Sequence, residues 1–208
     1  MRPDILPSHS GRLVLIRPRE EDDPCVAALR SHPNTRRYLP FTPTHVSLED
    51  ACAIRLKRAA DETRVPFNIH LASFSPGSDP ASTFVGSVSV THIDLEFKSC
   101  SLGILISPDY VRGGIATDAL YTLLSYVFED RKLHRAQIVT AVDNVGMRGW
   151  LDKAGATLEG INRDSFANGS GGYMSMCWYS ILEDEWRSTV KPRLEEKIAQ
   201  ATSLLKAS

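Results

Sequence analysis

Residues 102–130, LGILISPDYVRGGIATDALYTLLSYVFED, constrain the fold more than any other stretch. Residues 102–106 form a short apolar run with β-branched content, the length and composition of a buried strand. Ser107, Pro108 and Asp109 end it, because proline cannot continue a hydrogen-bonded ladder. From Ala116 onward, Leu120, Leu123, Leu124, Val127 and Phe128 recur at helical spacing, so a helix starts at or near Gly113 and Gly114. A strand, a glycine turn and a helix N-terminus together make an anion site. The first helical turn has free N–H groups and the positive end of the dipole. Glycine lets a pyrophosphate come close to the backbone, and small Ala116 keeps the next turn clear. A tight turn without a ligand accounts for the same residues. A Walker-type nucleotide loop is disfavoured, since the Lys-Ser/Thr pair is missing.

The remaining pattern alternates strands with helices. Residues 12–17, RLVLIR, predict a first strand. Asp22, Asp23 and Pro24 signal a helix start, and His32-Pro33-Asn34 breaks that helix after about residue 31. Residues 35–43 predict an irregular loop whose Arg36, Arg37 and Tyr38 face either a substrate or solvent. Ser47, with Asp50 three places on, opens a second helix to about residue 62. Strands follow at 66–74 and 84–95, separated by a turn-rich connector at 75–82. Residues 96–99 turn the chain into the central strand. Beyond the central helix, residues 136–142 predict a strand, Asn144 opens a helix through residue 153, and Gly155 caps its end. Strands at 157–164 and 173–182 flank a hairpin turn at 167–172. A terminal helix starts at 183–186, and Pro192 restarts it. Its stripe of Leu194, Ile198 and Leu205 packs on the body or on a partner chain.

Composition narrows the function classes. The chain has 208 residues, enough for one domain with a core, and a formal net charge of -1. No overall field favours nucleic acid or an anionic membrane. Cys25, Cys52, Cys100 and Cys177 lack metal-ligand spacing and fit a reducing compartment. No apolar run reaches the length of a membrane span, and the N-terminus lacks a signal peptide's apolar core. The expectation is a cytoplasmic protein without a metal site.

Several segments resemble the GNAT acetyltransferase superfamily. Its acetyl-CoA segment has the pattern Gln/Arg-x-x-Gly-x-Gly/Ala. Here Gly113, Gly114, Ile115 and Ala116 fill the last four positions, while Val111 stands first and Arg112 second. The segments RLVLIRP, IATDAL, LHRAQ, VDNVGMRGWLDKAGATLEG and WYSILEDEW are similar to the Rim-type, ribosomal-protein alanine acetyltransferase branch. The resemblance covers about residues 12–186. It implies a single α/β (α+β) domain, residues 1–182, with a helical extension at 183–208. It also implies a central, mixed, mostly antiparallel sheet with splayed central strands.

The resemblance further implies acetyl transfer from acetyl-CoA to an amine by direct attack on the thioester. Ile104, Leu105 and Ile106 would supply backbone hydrogen bonds to pantetheine. Arg112, Gly113, Gly114, Ile115, Ala116 and Thr117 would cradle pyrophosphate, and Asn144 and Met147 would lie along the arm. Asn144 is equally well explained as a plain N-cap. No general base is evident. The place where the branch often has a carboxylate holds Ser101. His92, Asp94 and Glu96 share parity and would point to one face of a regular strand, where one could act directly or through water. Met147 stands where the branch often has Ser and cannot donate a proton. These gaps leave a second reading, a catalytically silent acyl-CoA-binding module. The expected partners are acetyl-CoA and an amine acceptor, with no nucleic acid or membrane, and a homodimer is left open.

Overall fold

The computed structural model describes residues 3–39, 42–75, 77, 79–111, 113–169 and 171–206. One eight-stranded sheet runs in the order β1-β2-β3-β4-β5-β6-β8-β7. Its strands are β1 Ile5–Pro7, β2 Leu13–Ile16, β3 Val65–Leu71, β4 Phe84–Asp94, β5 Ser99–Ile106, β6 Arg135–Ala141, β7 Thr157–Ala167 and β8 Tyr173–Leu182. Every pair is antiparallel except β5 with β6. A parallel pair needs a crossover, and helix α4, Ile115–Ser125, supplies it.

Helices cover both faces. On one lie α1, Asp23–Ser31, short α2, Pro33–Arg36, and α3, Leu48–Ala60. Ser47 and Asp50 close a reciprocal capping box on α3. Val26, Leu29, Val46, Ala51 and Phe84 make a small core under these helices, with Leu105 of β5 packed against it. The opposite face carries α4, α5, Val145–Ala154, and the C-terminal α6, Glu183–Glu185, and α7, Lys191–Lys206. Here lies the main core. Trp186, Val190 and Leu194, all fully buried, join Phe67, Leu120, Leu123 and Leu124 in it. Residues 183–206 therefore pack on the body through Leu194 and Ile198; the Leu205 side chain lies outside the described residues.

Three local expectations are corrected. Strand β1 precedes the first expected strand, because Ile5–Pro7 gains its ladder only by pairing with β2. His32 does break α1, but Pro33 then begins α2, which runs into the expected loop as far as Arg36, with the His32 ring accepting from the Asn34 N–H at 3.1 Å. Pro suits a first helical turn, whose N–H has no partner. Pro192 does not restart the terminal helix: a π turn at Trp186–Val190 leads directly into α7, in which the proline is the second residue.

Candidate acetyl-CoA and acceptor site

β5 and β6 diverge. Their ladder runs only from Ser99↔Arg135 to Leu102↔Ile138. Beyond it, Gly103 to Ile106 pair with β4 alone, and Val139 to Ala141 pair with β8 alone. The β6-facing edge of β5 is thus a row of backbone groups with no ladder partner among the described residues. Such groups demand hydrogen bonds when enclosed.

A cavity of about 700 Å³ occupies this notch. One half is lined by Val111, Ala116 and Leu120 around α4 and by Asn144, Met147 and Trp150 on α5. The other half lies under α1, α2 and α3, where Arg30, Thr35, Tyr38 and Arg58 meet Ser87, Ser89 and Leu105 of the sheet. The volume and the apolar majority of the lining suit a small-molecule site.

The glycine turn stands beside the first half. Gly114 takes a left-handed conformation, φ +75°, as the N-cap of α4, and no side chain among the described residues caps the first turn. Behind it, Arg12 Nη1 donates to the Gly113 carbonyl at 3.2 Å. In a trans peptide the Gly114 N–H then points away from Arg12. Arg12 Nε in turn donates to Ser10 Oγ at 3.3 Å. Fully buried Asp118 of α4 accepts from Ser8 Oγ at 2.8 Å, from the Ser10 N–H at 3.2 Å and from Ser10 Oγ. This clamp ties the approach to β2 onto the start of α4. Arg12, Ser10 and Asp118 escaped the sequence reading; an Asp in a first helical turn was the one local signal.

The expected cofactor residues divide. Ile104, Leu105, Ile106, Ala116, Asn144 and Met147 line the cavity. Gly113 is exposed and Gly114 half-buried at its edge, Ile115 points into the core, and the Thr117 hydroxyl accepts from Trp150 Nε1 at 3.1 Å. Arg112 lies outside the described residues. Asn144 serves as an N-cap, accepting from the Met147 N–H at 3.2 Å and donating to Thr140 Oγ1 at 3.0 Å, while also lining the cavity.

The expected bases are not gathered there. β4 is irregular between Thr91 and Asp94, and His92 adopts φ +50°, so the shared parity of His92, Asp94 and Glu96 is lost. Glu96 falls in the β4–β5 turn, exposed, and Asp94 caps that turn by accepting from the Phe97 N–H at 2.9 Å. Ser101 is paired with Thr91 and Gln137 inside the ladder. None of the four is in the cavity's described lining, which contains no Asp, Glu or His.

A second polar network supports the half under α1, α2 and α3. Asp22 and His70 are fully buried, 3.5 Å apart; Arg19 donates to Asp22 at 2.9 Å and Asn68 at 3.1 Å. Burial opposes the Asp22 charge, but His70, Arg19 and Asn68 outweigh it and hold the carboxyl at about 2. Asn68 accepts from Ser87 Oγ at 3.0 Å, which fixes a cavity-lining hydroxyl.

A splayed sheet beside a glycine turn, with chambers on both faces, defines an acyl-CoA-dependent transferase class. The acetyltransferase (GNAT) domain family matches residues 12–157, and the chain belongs to that family. It is 31% identical to YdaF of Bacillus subtilis, named provisionally as a ribosomal N-acetyltransferase, over 49% of this chain and 55% of that protein. The chain thus spans about half the length of the curated relatives it matches. Among solved structures, Mycobacterium smegmatis RimJ in complex with CoA-disulfide superimposes with TM-score 0.77 at 21% identity, covering 93% of this chain and 92% of that one. A Vibrio cholerae spermidine N-acetyltransferase in complex with CoA and spermine gives 0.74 at 21%, covering 85% and 99%. These likenesses agree with the fold and the Rim-type resemblance read from the sequence.

Proposed function

We propose that this chain transfers the acetyl group of acetyl-CoA to a primary amine, with the α-amine of a protein N-terminus as acceptor. The observation that carries the reading is the open β5 edge from Gly103 to Ile106, which faces a cavity reached from both sides of the sheet. Pantetheine fits that edge as a strand-like guest, and an edge N–H is the donor for the thioester oxygen. The first turn of α4 and the Gly113 turn are the place for the pyrophosphate. The similarity to YdaF supports a protein N-terminus as acceptor.

The chemistry needs a neutral amine. The amine nitrogen attacks the carbonyl carbon, the C–N bond forms and the C–S bond breaks. The amine's proton goes to water, and CoA leaves as a thiolate. An α-amine titrates near 7.7–8.0, against about 10.4 for a lysine, so a useful fraction is already neutral at physiological pH. A cavity lined without Asp, Glu or His, among the described residues, matches that acceptor better than a strongly basic one. Free Cys25, Cys52, Cys100 and Cys177 fit a reducing, cytoplasmic setting.

The test is thiol release from acetyl-CoA with Ala-, Ser- and Met-starting peptides, with mass spectrometry of the peptide. Acceptor-dependent release with one acetyl per α-amine is expected. Tight acetyl-CoA binding with no transfer to any α-amine would leave the silent binding module as the better reading.

A further inference from the structure

Arg30 lies in the last turn of α1 and Arg58 in the last turn of α3. Basic residues at helix C-termini complement the dipole, and on an open surface that would explain them. Here α1 packs on α3, and both side chains line the acceptor half of the cavity, half-buried. They are its only charged lining residues among those described. No ion pair joins either to a carboxylate among the described residues, whereas neighbouring Arg64 has Asp61 at 3.5 Å. Burial, with the charges of Arg30 and Arg64, pushes Arg58 down to about 10; burial and Arg64 lower Arg30 as well. Both guanidiniums remain charged at neutral pH. Like charges gathered without a counter-ion work against the folded state and invite an anion.

The CoA phosphates are not that anion, because the glycine turn lies with α4 on the opposite face of the sheet. Thr35 Oγ1, buried in the same chamber with no partner among the described residues, is a further free polar group beside the two arginines.

We propose that this chamber selects an acceptor that carries a carboxylate, held by Arg30 and Arg58 while its amine faces the notch, and that it turns polyamines away. The inference rests on the acetyl-transfer reading for the side from which the amine arrives. The carboxylate belongs either to an acidic side chain near a peptide N-terminus or to a small amino acid. The same positive field disfavours an ammonium and so helps supply the neutral nucleophile that no cavity base provides.

Calorimetric titration of the CoA-loaded protein tests this without requiring turnover. The probes are Ala-starting peptides with Asp or Glu at the second and third residues, their Asn or Gln twins, Lys twins, β-alanine against its amide, and spermidine. The acidic member of a pair should bind on the order of 10-fold tighter than its amide twin. Which pair shows the preference identifies the source of the carboxylate. Arg30→Gln with Arg58→Gln should bring the pair within about 2-fold while acetyl-CoA binding holds. Arg30→Lys with Arg58→Lys should keep part of the preference. Arg58→Gln alone should melt no lower than the parent, since it relieves repulsion. Equal affinities, tightest binding by Lys peptides or spermidine, or no binding by any acidic probe would overturn the inference. Acidic probes that bind this way and are never acetylated would instead overturn the enzyme reading alone.

Discussion

Replacing Gly113 by aspartate puts a carboxylate on the turn proposed to hold the acetyl-CoA pyrophosphate. The position accepts a side chain: among the described residues a Cβ there would meet only Ile115 Cγ1 at 3.8 Å and the Tyr110 carbonyl at 4.0 Å, both ordinary contacts. Gly114 is the more obvious target from sequence but the worse one. Its φ is +75°, and a Cβ would press on Ala201 Cβ at 3.2 Å and Arg12 Nη2 at 3.3 Å. A left-handed non-glycine residue costs about 1–2 kcal/mol, so Gly114→Asp would disturb the Arg12 clamp and confound the result. At Gly113 the cost is electrostatic. Two like charges about 4 Å apart repel by about 1 kcal/mol in water and about 4 kcal/mol near a protein surface. At about 1.4 kcal/mol per factor of ten, acetyl-CoA affinity should fall by between about 5-fold and about 700-fold. The assay is calorimetric titration beside thermal unfolding, with Gly113→Asn as the neutral isostere. Aspartate well below asparagine, at matched melting temperature, is the expected result. Equal affinity for the two variants would refute an anion cradle at this turn.

Two other predictions concern protons. Asp22 is held at about 2 in the folded protein, against an ordinary value of about 3.9. Its folded value is depressed, so its contribution, about 2 kcal/mol, is present above about pH 4 and lost as pH falls through about 2. Asp22→Asn should therefore destabilise at pH 7, and the gap in urea unfolding should shrink toward pH 2. An undiminished gap at low pH would place the effect in packing. The rate of acetyl transfer should rise with pH up to about 8, following the acceptor amine. Lowering the acceptor's own pKa should move that limb. A limb that stays fixed as the acceptor changes would reveal a protein base missing from this account.

The fold was legible because its signals are local. The Ser47–Asp50 box, the Asn144 cap and Gly155 are each written within a few residues. Ile5–Pro7 was not, since three residues with a proline become a strand only through β2. The half of the cavity proposed for the cofactor was legible as structure for the same reason, being one strand, one turn and one helix in succession. The acceptor half was not. Arg30 and Arg58 sit in separate helices, each satisfying a helix-end rule, and only the packing of α1 on α3 brings them into one chamber. The parity argument for His92, Asp94 and Glu96 failed because a bulge has no sequence signature there. Arg12 reaches Gly113 across 101 residues, a contact that no spacing rule contains.

Amide hydrogen exchange, with and without acetyl-CoA, tests most directly whether the notch is the binding site. The β6-facing amides of β5 should exchange readily alone, and acetyl-CoA should slow Ile104 and Ile106, the alternate residues that point away from β4, together with the first turn of α4. Protection elsewhere, with β5 unchanged, would contradict the placement of the thioester on which the account depends.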